Sequence, residues 1–431
     1  MRVYFESLGC PKNTADSEFM LGLLRFNNVE IAKSPQEADF LVVNTCGFIE
    51  PAKEESIETI LELAEFKKSD PSKKLIVCGC LYERYKNQLK TQLPEVDGFV
   101  GVGELEKIIS FFENSKLPDK PYCKRRSFFV PHIGYLKIGD GCSHGCSFCA
   151  IPLIKGTFYS RPIDELTEEA RLLAENGVKE LYLVAQDTTA YLREQNIKNG
   201  LVSLLEKLEG VDSIKWIRLL YTYPSLISDE LVEFMSTSKK LVRYIDVPFQ
   251  HVSDRLLSDM GREYTRKDIE HLIEKLRDRV KGIAIRSTFI VGFPTERDED
   301  FLELVDFIEQ YRLDWASFFA YYHEEGTLSY KRFEDLDEEI KQQRLEEIEL
   351  LNLQVIENIN ETFLNKKFEV IIDGESDKED YLQARSYRSA YEIDGIIYIK
   401  KQPHLKPGDF VSVRISQVEG VDVIGIVEEE K

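Results

Sequence analysis

Three cysteines in one short loop carry the clearest chemical signal in the sequence. Cys142, Cys146 and Cys149 follow a CxxxCxxC spacing directly after a β-rich run. Thiolate is the usual ligand of iron–sulfur clusters, and three thiolates in one loop suit three irons of a cubane. The fourth iron would then have no protein ligand, so it could chelate the amino and carboxylate groups of a small molecule. Phe148 sits beside the last cysteine, where its ring could pack on an adenine.

A zinc site is the alternative interpretation of the same loop. Structural zinc sites usually have four ligands, commonly in two CxxC-like pairs. No second pair lies near residues 142–149 in the sequence, so the spacing favours the cluster. The zinc interpretation would correspond to a different function, that of a non-catalytic protein that binds ribosomes through a small barrel.

Three further cysteines are far apart in the sequence but share one predicted position. Cys10, Cys46 and Cys80 each follow a short run that reads as a buried parallel strand. Ligands of open α/β sheets bind beyond the carboxyl ends of the strands, so these thiolates could converge on one metal centre. Three unrelated buried cysteines are the alternative, because cysteine is commonly buried. Cys78 and Cys123 lie outside both groups, and no function is assigned to them.

The elements that would position these cysteines form four successive segments, which predict an α/β fold. Residues 1–130 predict an open parallel α/β sheet, and residues 131–336 predict six β/α units of a partial TIM-type barrel. Residues 337–364 predict a charged amphipathic linker helix, and residues 365–431 a small antiparallel β-barrel. The expected strands are Val3–Leu8, Asp39–Thr45 and Lys74–Gly79 in the first segment, Tyr135–Ile138, Glu180–Ala185, Trp216–Leu220, Arg243–Val247, Ala284–Val291 and Trp315–Tyr321 in the second, and Phe368–Ile372, Tyr381–Arg385, Ile396–Ile399, Phe410–Ile415 and Val421–Val427 in the last.

Charge and hydropathy exclude several classes of protein. The 56 Lys and Arg residues face 77 Asp and Glu residues, and the net charge of −21 makes the whole chain a poor general ligand for nucleic acid. No apolar run approaches the ~18–20 residues of a membrane span. Leu8-Gly9-Cys10 faintly resembles a lipoprotein cleavage site, but the preceding residues include Glu6 and lack an apolar stretch. A cytoplasmic location without membrane contact is therefore predicted.

The cysteine motifs resemble a known enzyme family. The CxxxCxxC loop at 142–149 is similar to the signature of the radical S-adenosylmethionine (SAM) superfamily. SLGCPKN at 7–13, NTCGFIEPAKEES at 44–56 and GCL at 79–81 resemble the amino-terminal domain of methylthiotransferases. The resemblance covers essentially the whole chain and implies that the last barrel is an OB-like TRAM domain. It also implies two 4Fe-4S clusters, one on each cysteine triad, with SAM on the barrel cluster.

The same resemblance implies roles for single residues. Gln186 and Asp187, at the end of the second barrel strand, stand where relatives hold the amino group of SAM. The segment 290–296, which ends at Glu296, is similar to the strand and turn that contact the adenine. Phe148 is the aromatic neighbour of the cluster. The alternative is a strand end and a Gly-Pro turn with no contact to SAM. No catalytic residue beyond the cluster ligands is predicted.

Two bacterial types of methylthiotransferase are compared, and the sequence is more similar to one. The RimO type modifies an aspartate of small-subunit ribosomal protein S-twelve, whereas the MiaB type modifies an adenosine of transfer RNA. The segments 139–154 and 184–189 are similar to the RimO type. Residues 366–431 carry ten Lys/Arg against fourteen Asp/Glu, which suits a basic ribosomal protein better than RNA. A local basic–aromatic loop runs against this trend, formed by Arg385, Tyr387, Arg388 and Tyr391.

The resemblance to the RimO type implies an enzyme that places a methylthio group on the β-carbon of the aspartate. Two SAM molecules would be used per turnover, one to methylate sulfur and one to supply the radical that removes hydrogen from carbon. The substrate would be S-twelve, free or in the small ribosomal subunit, docked through the TRAM domain. A sulfur donor and an electron donor such as flavodoxin or ferredoxin are also implied. The chemistry requires both clusters to face one cavity, and MiaB-type modification of transfer RNA is the alternative.

Overall fold

The computed structural model of the chain describes residues 1–428. Its amino-terminal part is a parallel sheet with helices on both faces. The elements are β1 (Arg2–Ser7), α1 (Pro11–Phe26), β2 (Glu30–Ile31), β3 (Phe40–Thr45), α2 (Glu50–Ser69), β4 (Lys74–Gly79), α3 (Cys80–Gln92) and β5 (Gly98–Val100). The strand order is β2-β1-β3-β4-β5, so the three strands predicted from the sequence are neighbours at the centre of the sheet.

The central strands form because their residues are apolar on both faces. Residues 41–43 and 75–77 are fully buried, as expected for a parallel sheet that is covered by helices on each side. The edge strands β2 and β5 were not predicted, because two or three residues are too short to show a periodic pattern.

The central part is an open barrel of six parallel strands, which confirms the predicted partial TIM-type fold. Its elements are β6 (Ile133–Lys137), β7 (Gly139–Asp140), α4 (Ile151–Lys155), β8 (Tyr159–Ser160), α5 (Ile163–Glu175), β9 (Glu180–Val184), α6 (Gly200–Glu209), β10 (Trp216–Leu219), α7 (Asp229–Thr237), β11 (Leu241–Asp246), α8 (Asp254–Asp259), α9 (Arg266–Arg279), β12 (Ala284–Val291), α10 (Asp298–Tyr311), β13 (Trp315–Ala320) and α11 (Leu328–Arg332). The strand order is β13-β12-β11-β10-β9-β6.

The two open edges of this barrel are covered by neighbouring parts of the chain. Helix α1 packs along β6, and the linker helix α12 (Glu338–Glu361) packs along β13. Ile348 and Val355 of α12 join the main apolar core of the barrel, as its amphipathic pattern predicted. Exposed strand edges invite pairing with other chains, so this covering protects the sheet. No helix among residues 1–428 combines the length and apolar character needed to cross a membrane.

The carboxy-terminal part is a closed five-stranded barrel, in agreement with the predicted fold. It consists of β14 (Lys367–Glu375), β15 (Tyr381–Ser386), β16 (Ile397–Lys400), β17 (Phe410–Glu419) and β18 (Asp422–Val427). The structure refines the prediction in one respect, because β16 and β18 pair in parallel. An odd number of strands cannot alternate in direction around a closed ring, so at least one pair must be parallel. Residues 429–431, which belong to the predicted last segment, lie outside the described residues.

The small barrel is joined to the amino-terminal end of the large barrel by buried charges. Arg385 is fully buried, and its guanidinium contacts Glu180 at 2.8 Å and Asp373 at 2.6 and 2.8 Å. The loop after β15 continues this contact, since Asp394 accepts hydrogen bonds from Tyr244 and Arg286. The basic–aromatic loop predicted from the sequence therefore packs between the two barrels, and its arginines are paired with residues inside the protein.

Candidate functional site

The loop of Cys142, Cys146 and Cys149, here called the barrel triad, lies beyond the carboxyl end of β6, where barrel enzymes place their active sites. Its backbone is tied down at several points. The amide of Cys142 donates to Gly156 O at 3.0 Å, and the amide of Ser147 donates to Met260 O at 2.8 Å. Gly261 has a φ of +70° and approaches so closely that a Cβ there would lie 2.5 Å from Gly145 O. These contacts fix the loop between α4 and α8.

Arg262 is the charged partner of the barrel triad. Its Nη1 donates to Cys146 Sγ at 3.1 Å, and its Nη2 donates to Pro248 O at 2.9 Å. The guanidinium also lies 4.4 Å from the ring centroid of Tyr223 and 5.0 Å from that of Tyr264. Arg262 therefore places a fixed cation within hydrogen-bond distance of the sulfur of Cys146. Sequence reasoning missed Arg262 because it lies 116 residues from its partner.

The second barrel strand ends at two predicted SAM-contacting residues that have very different surroundings. Asp187 is buried, with Oδ2 2.6 Å from His144 Nε2 and Oδ1 accepting from the amide of Thr189 at 2.8 Å. Its carboxylate therefore holds the triad loop through His144. Gln186 differs, because both polar atoms of its side chain are buried and have no hydrogen-bond partner among the described residues. An unpaired buried amide is costly, so Gln186 fits a site that a bound group completes.

The other two predicted SAM contacts lie within packed structure. Phe148 packs against an apolar cluster that includes Met260, Phe293 and Tyr321. Glu296 is buried, with Oε1 3.1 Å from His251 Nε2 and Oε2 2.8 Å from Arg344 Nη1. Both oxygens of Glu296 are occupied by internal partners. The proposed roles of Phe148 and Glu296 toward SAM remain predictions.

Cys10, Cys46 and Cys80, here called the amino-terminal triad, follow three neighbouring strands of the first sheet, as the sequence predicted. Cys10 precedes α1, Cys46 follows β3 and Cys80 is the first residue of α3. Gly9 brings two of these segments together. Its φ is +88°, and a Cβ there would lie 3.0 Å from Cys46 Cβ. The glycine is required by both the conformation and the close approach.

Asn13 connects the three segments that carry the amino-terminal triad. Its Nδ2 donates to Leu8 O and to Thr45 O, each at 3.0 Å. Its Oδ1 lies 3.7 Å from Cys80 Sγ. One buried side chain therefore contacts the loop before Cys10, the strand end before Cys46 and the thiol of Cys80. Such hydrogen bonds around a metal centre orient the ligands.

The protonation of the thiols is set mainly by burial. Burial raises the pKa of Cys142 to about 11 and the pKa values of Cys149 and Cys80 to about 12. Burial acts the same way on Cys10, but the charge of Lys12 and the amide of Asn13 outweigh it and lower the pKa of Cys10. Metal ligation requires the thiolate form, so loading of these sites releases protons.

The two kinds of metal site considered for the cysteines, zinc and an iron–sulfur cluster, make different demands on their ligands. Residues 1–428 contain no group of three His, Cys, Asp or Glu side chains placed to share one metal ion. Zinc ligands would all lie about 2.0–2.3 Å from one centre. In a cubane each thiolate binds a different iron, so a cluster spaces the three sulfurs more widely. Three thiolates, a cation on Cys146 and an unpaired amide at Gln186 together fit an iron–sulfur cluster with a small polar ligand.

The two triads lie on either side of one interface. Cys80 shares a buried apolar cluster with Ala150 and Ile154, and Ala150 directly follows Cys149. Lys155, at the end of the same short helix, is buried and forms an ion pair with Asp140 at 3.1 Å. Burial alone would lower the pKa of Lys155, but Asp140 and the nearby Cys80 and Cys10 raise it strongly. The interface is therefore built from residues of both domains.

Lys12 projects across this interface onto the large barrel. Its Nζ lies 3.4 Å from the ring centroid of Tyr221, which follows the end of β10. Tyr221 has a φ of +59°, a conformation that is uncommon for a bulky residue. Its amide donates to Asp246 Oδ2 and its carbonyl accepts from the amide of Thr188, both at 2.9 Å. These bonds hold Tyr221 in the strained conformation, and strain of this kind is concentrated at functional sites.

Comparison with known proteins agrees with this architecture. Residues 2–101 match the uncharacterized protein family UPF0004, residues 136–308 match the radical SAM superfamily, and residues 366–427 match the TRAM domain. Among solved structures, the radical SAM methyltransferase TsrM from Kitasatospora setae superposes with a TM-score of 0.53 at 16% identity, covering 74% of each chain. The cobalamin-dependent SAM radical enzyme OxsB gives a TM-score of 0.53 at 12% identity, covering 81% of this chain and 56% of that chain. These two structures share the fold.

Relatives of similar length are much closer in sequence. The chain is 45% identical over 426 residues to the ribosomal protein uS12 methylthiotransferase RimO of Aquifex aeolicus, covering 99% of this chain and 97% of the relative. It is 44% identical over 431 residues to RimO of a Sulfurihydrogenibium species, covering 99% of both. The fold and the matched domains define a radical SAM enzyme that carries a TRAM domain. The chain belongs to the RimO family of methylthiotransferases, which confirms the resemblance stated from the sequence.

Proposed function

We propose that this chain installs a methylthio group on the β-carbon of an aspartate in ribosomal protein uS12. The observation that supports the proposal is the buried apolar group that Cys80 forms with Ala150 and Ile154. Cys80 belongs to the amino-terminal triad and Ala150 follows Cys149 of the barrel triad, so both predicted cluster sites adjoin one interface, as insertion of sulfur at a carbon requires. The names of the RimO relatives support uS12 as the substrate.

The barrel triad would hold one 4Fe-4S cluster and bind SAM, and the amino-terminal triad would hold a second 4Fe-4S cluster. When bound, these groups supply the radical chemistry and the methylthio sulfur, with two SAM molecules used per turnover. Gln186 supplies the free amide that SAM would engage, and Asp187 positions the triad loop through His144. Phe148 and Glu296 are proposed as further SAM neighbours.

The chain itself excludes water from the interface and fixes its two sides. Lys137 forms ion pairs with Asp16 of α1 and Asp140, and Asp140 also pairs with Lys155. This buried network joins the amino-terminal domain to the barrel directly beside the triads. Lower water content strengthens electrostatic interactions at the site and protects reactive species from solvent.

The proposed partners follow from the same assignment. The TRAM domain would dock uS12, free or in the small ribosomal subunit, and a flavodoxin- or ferredoxin-like protein would donate electrons. A sulfur donor would reload the amino-terminal cluster, and the enzyme would act in the cytoplasm. We assign the domains to residues 1–130, 131–336, 337–364 and 365–431.

Iron and sulfide quantification tests the two-cluster assignment. We expect about eight irons per chain after anaerobic reconstitution, falling by half when either triad is replaced by alanine. Cys123→Ala is the matched control, because this half-buried linker thiol belongs to neither triad. Mass spectrometry of uS12 after anaerobic turnover should show one methylthio group with wild type and none with either triple variant.

The same measurements separate the alternatives. Modification of transfer RNA in place of uS12 would indicate the MiaB-type activity, although the relatives described above carry the RimO name. A colourless preparation that holds zinc and no iron after reconstitution would indicate the non-catalytic zinc protein.

A further inference from the structure

The ammonium of Lys12 forms no ion pair with a carboxylate of residues 1–428, although it lies at the interface between the two triads. Among residues 1–428, its Nζ has no carboxylate within 4.0 Å and donates no hydrogen bond. Its contact is the ring of Tyr221, whose hydroxyl also makes no hydrogen bond within the described chain. Lys12 and Tyr221 are both partly exposed, so a ligand can reach them.

The neighbouring carboxylates form their ion pairs with other cations, and Asp140 and Cys10 act on Lys12 only through space. Asp246, whose carboxylate accepts from the amide of Tyr221, also pairs with Arg286 at 3.0 Å. On the other side of the interface, Asp140 pairs with Lys155 at 3.1 Å. The ammonium of Lys12 is therefore available to an incoming anion.

The location of this pair restricts what that anion can be. Lys12 is two residues from Cys10, and Tyr221 follows β10 at the carboxyl end of the barrel strands. The carbonyl of Tyr221 is hydrogen-bonded to the loop that begins with Gln186, the residue with the unpaired amide. A group bound between Lys12 and Tyr221 thus lies at the interface that carries both triads, beyond the carboxyl ends of the barrel strands.

We infer that Lys12 and the Tyr221 hydroxyl bind the side-chain carboxylate of the substrate aspartate. This inference rests on the proposed function and names the residues that would select the substrate. The β-carbon is one bond from the carboxylate carbon, so two donors on the carboxylate fix the position of the carbon that is modified. Charge-assisted hydrogen bonds to an ammonium are short and directional, as such positioning requires.

The pair also disfavours a nucleobase. A protein that binds a splayed-out base usually stacks it on an aromatic ring. One face of Tyr221 is covered by the Lys12 ammonium at 3.4 Å, and a neutral base gains less from that cation than a carboxylate does. Lys12 would therefore favour the binding of an acidic side chain over the binding of an adenosine.

Binding of uS12 to the reconstituted, unreduced enzyme tests the inference without turnover. The probe is fluorescently labelled uS12, either wild type or with the modified aspartate changed to asparagine, and the readout is the Kd from anisotropy. We expect the wild-type enzyme to bind the aspartate form about tenfold more tightly, the usual scale for a hydrogen bond to a charged group. Equal Kd values for the two forms would overturn the inference.

Enzyme variants complete a double-mutant cycle. Lys12→Met should bind both forms of uS12 with the weaker Kd, and Lys12→Arg should restore part of the preference for aspartate. Lys124→Met is the matched control, because Lys124 is also half-buried over an aromatic ring, 4.7 Å from the centroid of Phe26. The control should keep the full preference. A Lys12→Met enzyme that still prefers aspartate tenfold would contradict the assignment.

Two further measurements distinguish substrate binding by Lys12 from other roles of this residue. Iron content is measured for each variant, since Lys12 also lies near Cys10. If Lys12→Met binds less iron, the Tyr221→Phe variant is measured in its place. A reduced preference of Tyr221→Phe for the aspartate form supports the inference, and an unchanged preference overturns it. An enzyme that neither binds nor modifies uS12 overturns the proposed function together with this inference. An enzyme that modifies uS12 without discriminating aspartate from asparagine overturns the inference alone.

Discussion

Cys80 shares a buried apolar cluster with Ala150, so the last cysteine of the amino-terminal triad lies in one packed group with the residue that follows the barrel triad. Ala150 is fully buried in this group, so a larger side chain there would have to displace its neighbours. The separation of the two triads is therefore set by close packing between the domains.

We predict that Ala150→Leu uncouples cluster loading from turnover. Overpacking a buried site typically costs about 1–3 kcal/mol, and the added volume would push the triads apart. We expect an unchanged iron content but a loss of uS12 modification of up to about 100-fold, because small displacements of reacting groups are very costly. Ala170→Leu, in the core behind the barrel sheet, is the control and should lose stability with little change in turnover. Full activity of Ala150→Leu would show that the spacing is not critical.

Replacement of Arg262 should change the electronic properties of the barrel site. Arg262 donates to Cys146 Sγ at 3.1 Å and brings a positive charge to it. Nearby cations and hydrogen bonds to cysteine sulfur make a cluster easier to reduce. Arg262→Gln should therefore lower the reduction potential of this cluster by on the order of 50 mV, the equivalent of roughly 1 kcal/mol for one electron. A redox titration followed by electron paramagnetic resonance measures the shift, and Arg262→Lys should give a smaller one.

Cysteine labelling should distinguish the two triads from the remaining thiols. With iron bound, we expect the six triad cysteines to resist alkylation, since their sulfurs are occupied. Removal of iron with a chelator should make the five half-buried triad cysteines reactive, whereas Cys80 is buried and should react slowly. Cys123 is half-buried and should be labelled in both states, whereas Cys78 is fully buried in β4 and should be labelled in neither. Peptide mass spectrometry reads each site, and equal labelling of Cys10 or Cys46 with and without iron would argue against the amino-terminal cluster.

The junction of the small barrel should depend on pH through Asp373. Burial acts to raise the pKa of Asp373, but Arg385 and His132 outweigh it and hold the pKa below the usual 3.8. The stabilisation is therefore complete above about pH 3.8 and is lost as the pH falls through the lower value of the folded protein. At pH 7, Asp373→Asn should cost up to about 3–5 kcal/mol in the free energy of unfolding, because it removes one of the two buried carboxylates that neutralise Arg385.

Urea unfolding of the iron-free protein measures this effect. The difference between wild type and Asp373→Asn should be constant near neutral pH and shrink below pH 3.8. Glu379→Gln is the matched control, since Glu379 is an exposed acidic residue of the same barrel. A difference that stays constant down to pH 3 would mean that the Asp373 charge does not contribute.

Much of this arrangement could be predicted from the sequence because it depends on local pattern. The β-rich runs that form β1, β3 and β4 are local patterns, and each strand is followed within three residues by a cysteine of the amino-terminal triad. Parallel strands place their carboxyl ends at one edge, so the gathering of Cys10, Cys46 and Cys80 follows from these runs. The spacing of the barrel triad is local as well.

The residues that sequence reasoning missed act across long separations. Lys12 meets Tyr221, and Arg262 meets Cys146, only because two domains or two distant loops pack together. The sequence predicts a basic–aromatic loop around Arg385 but not the partners of its arginines, because composition reveals charge and not pairing. Its partner Glu180 lies 205 residues earlier and was predicted only as the start of a strand.

The loop after β15 of the TRAM domain packs at the amino-terminal end of the large barrel, opposite the end that carries the two triads. Arg385 and Asp394 anchor the TRAM domain beside the starts of the strands, whereas Lys12 and Tyr221 lie beyond the ends of the strands. If the TRAM domain docks uS12 as proposed, the substrate would have to extend along the barrel to bring its aspartate to Lys12. Short peptides around the aspartate would then be poorer substrates than the whole protein.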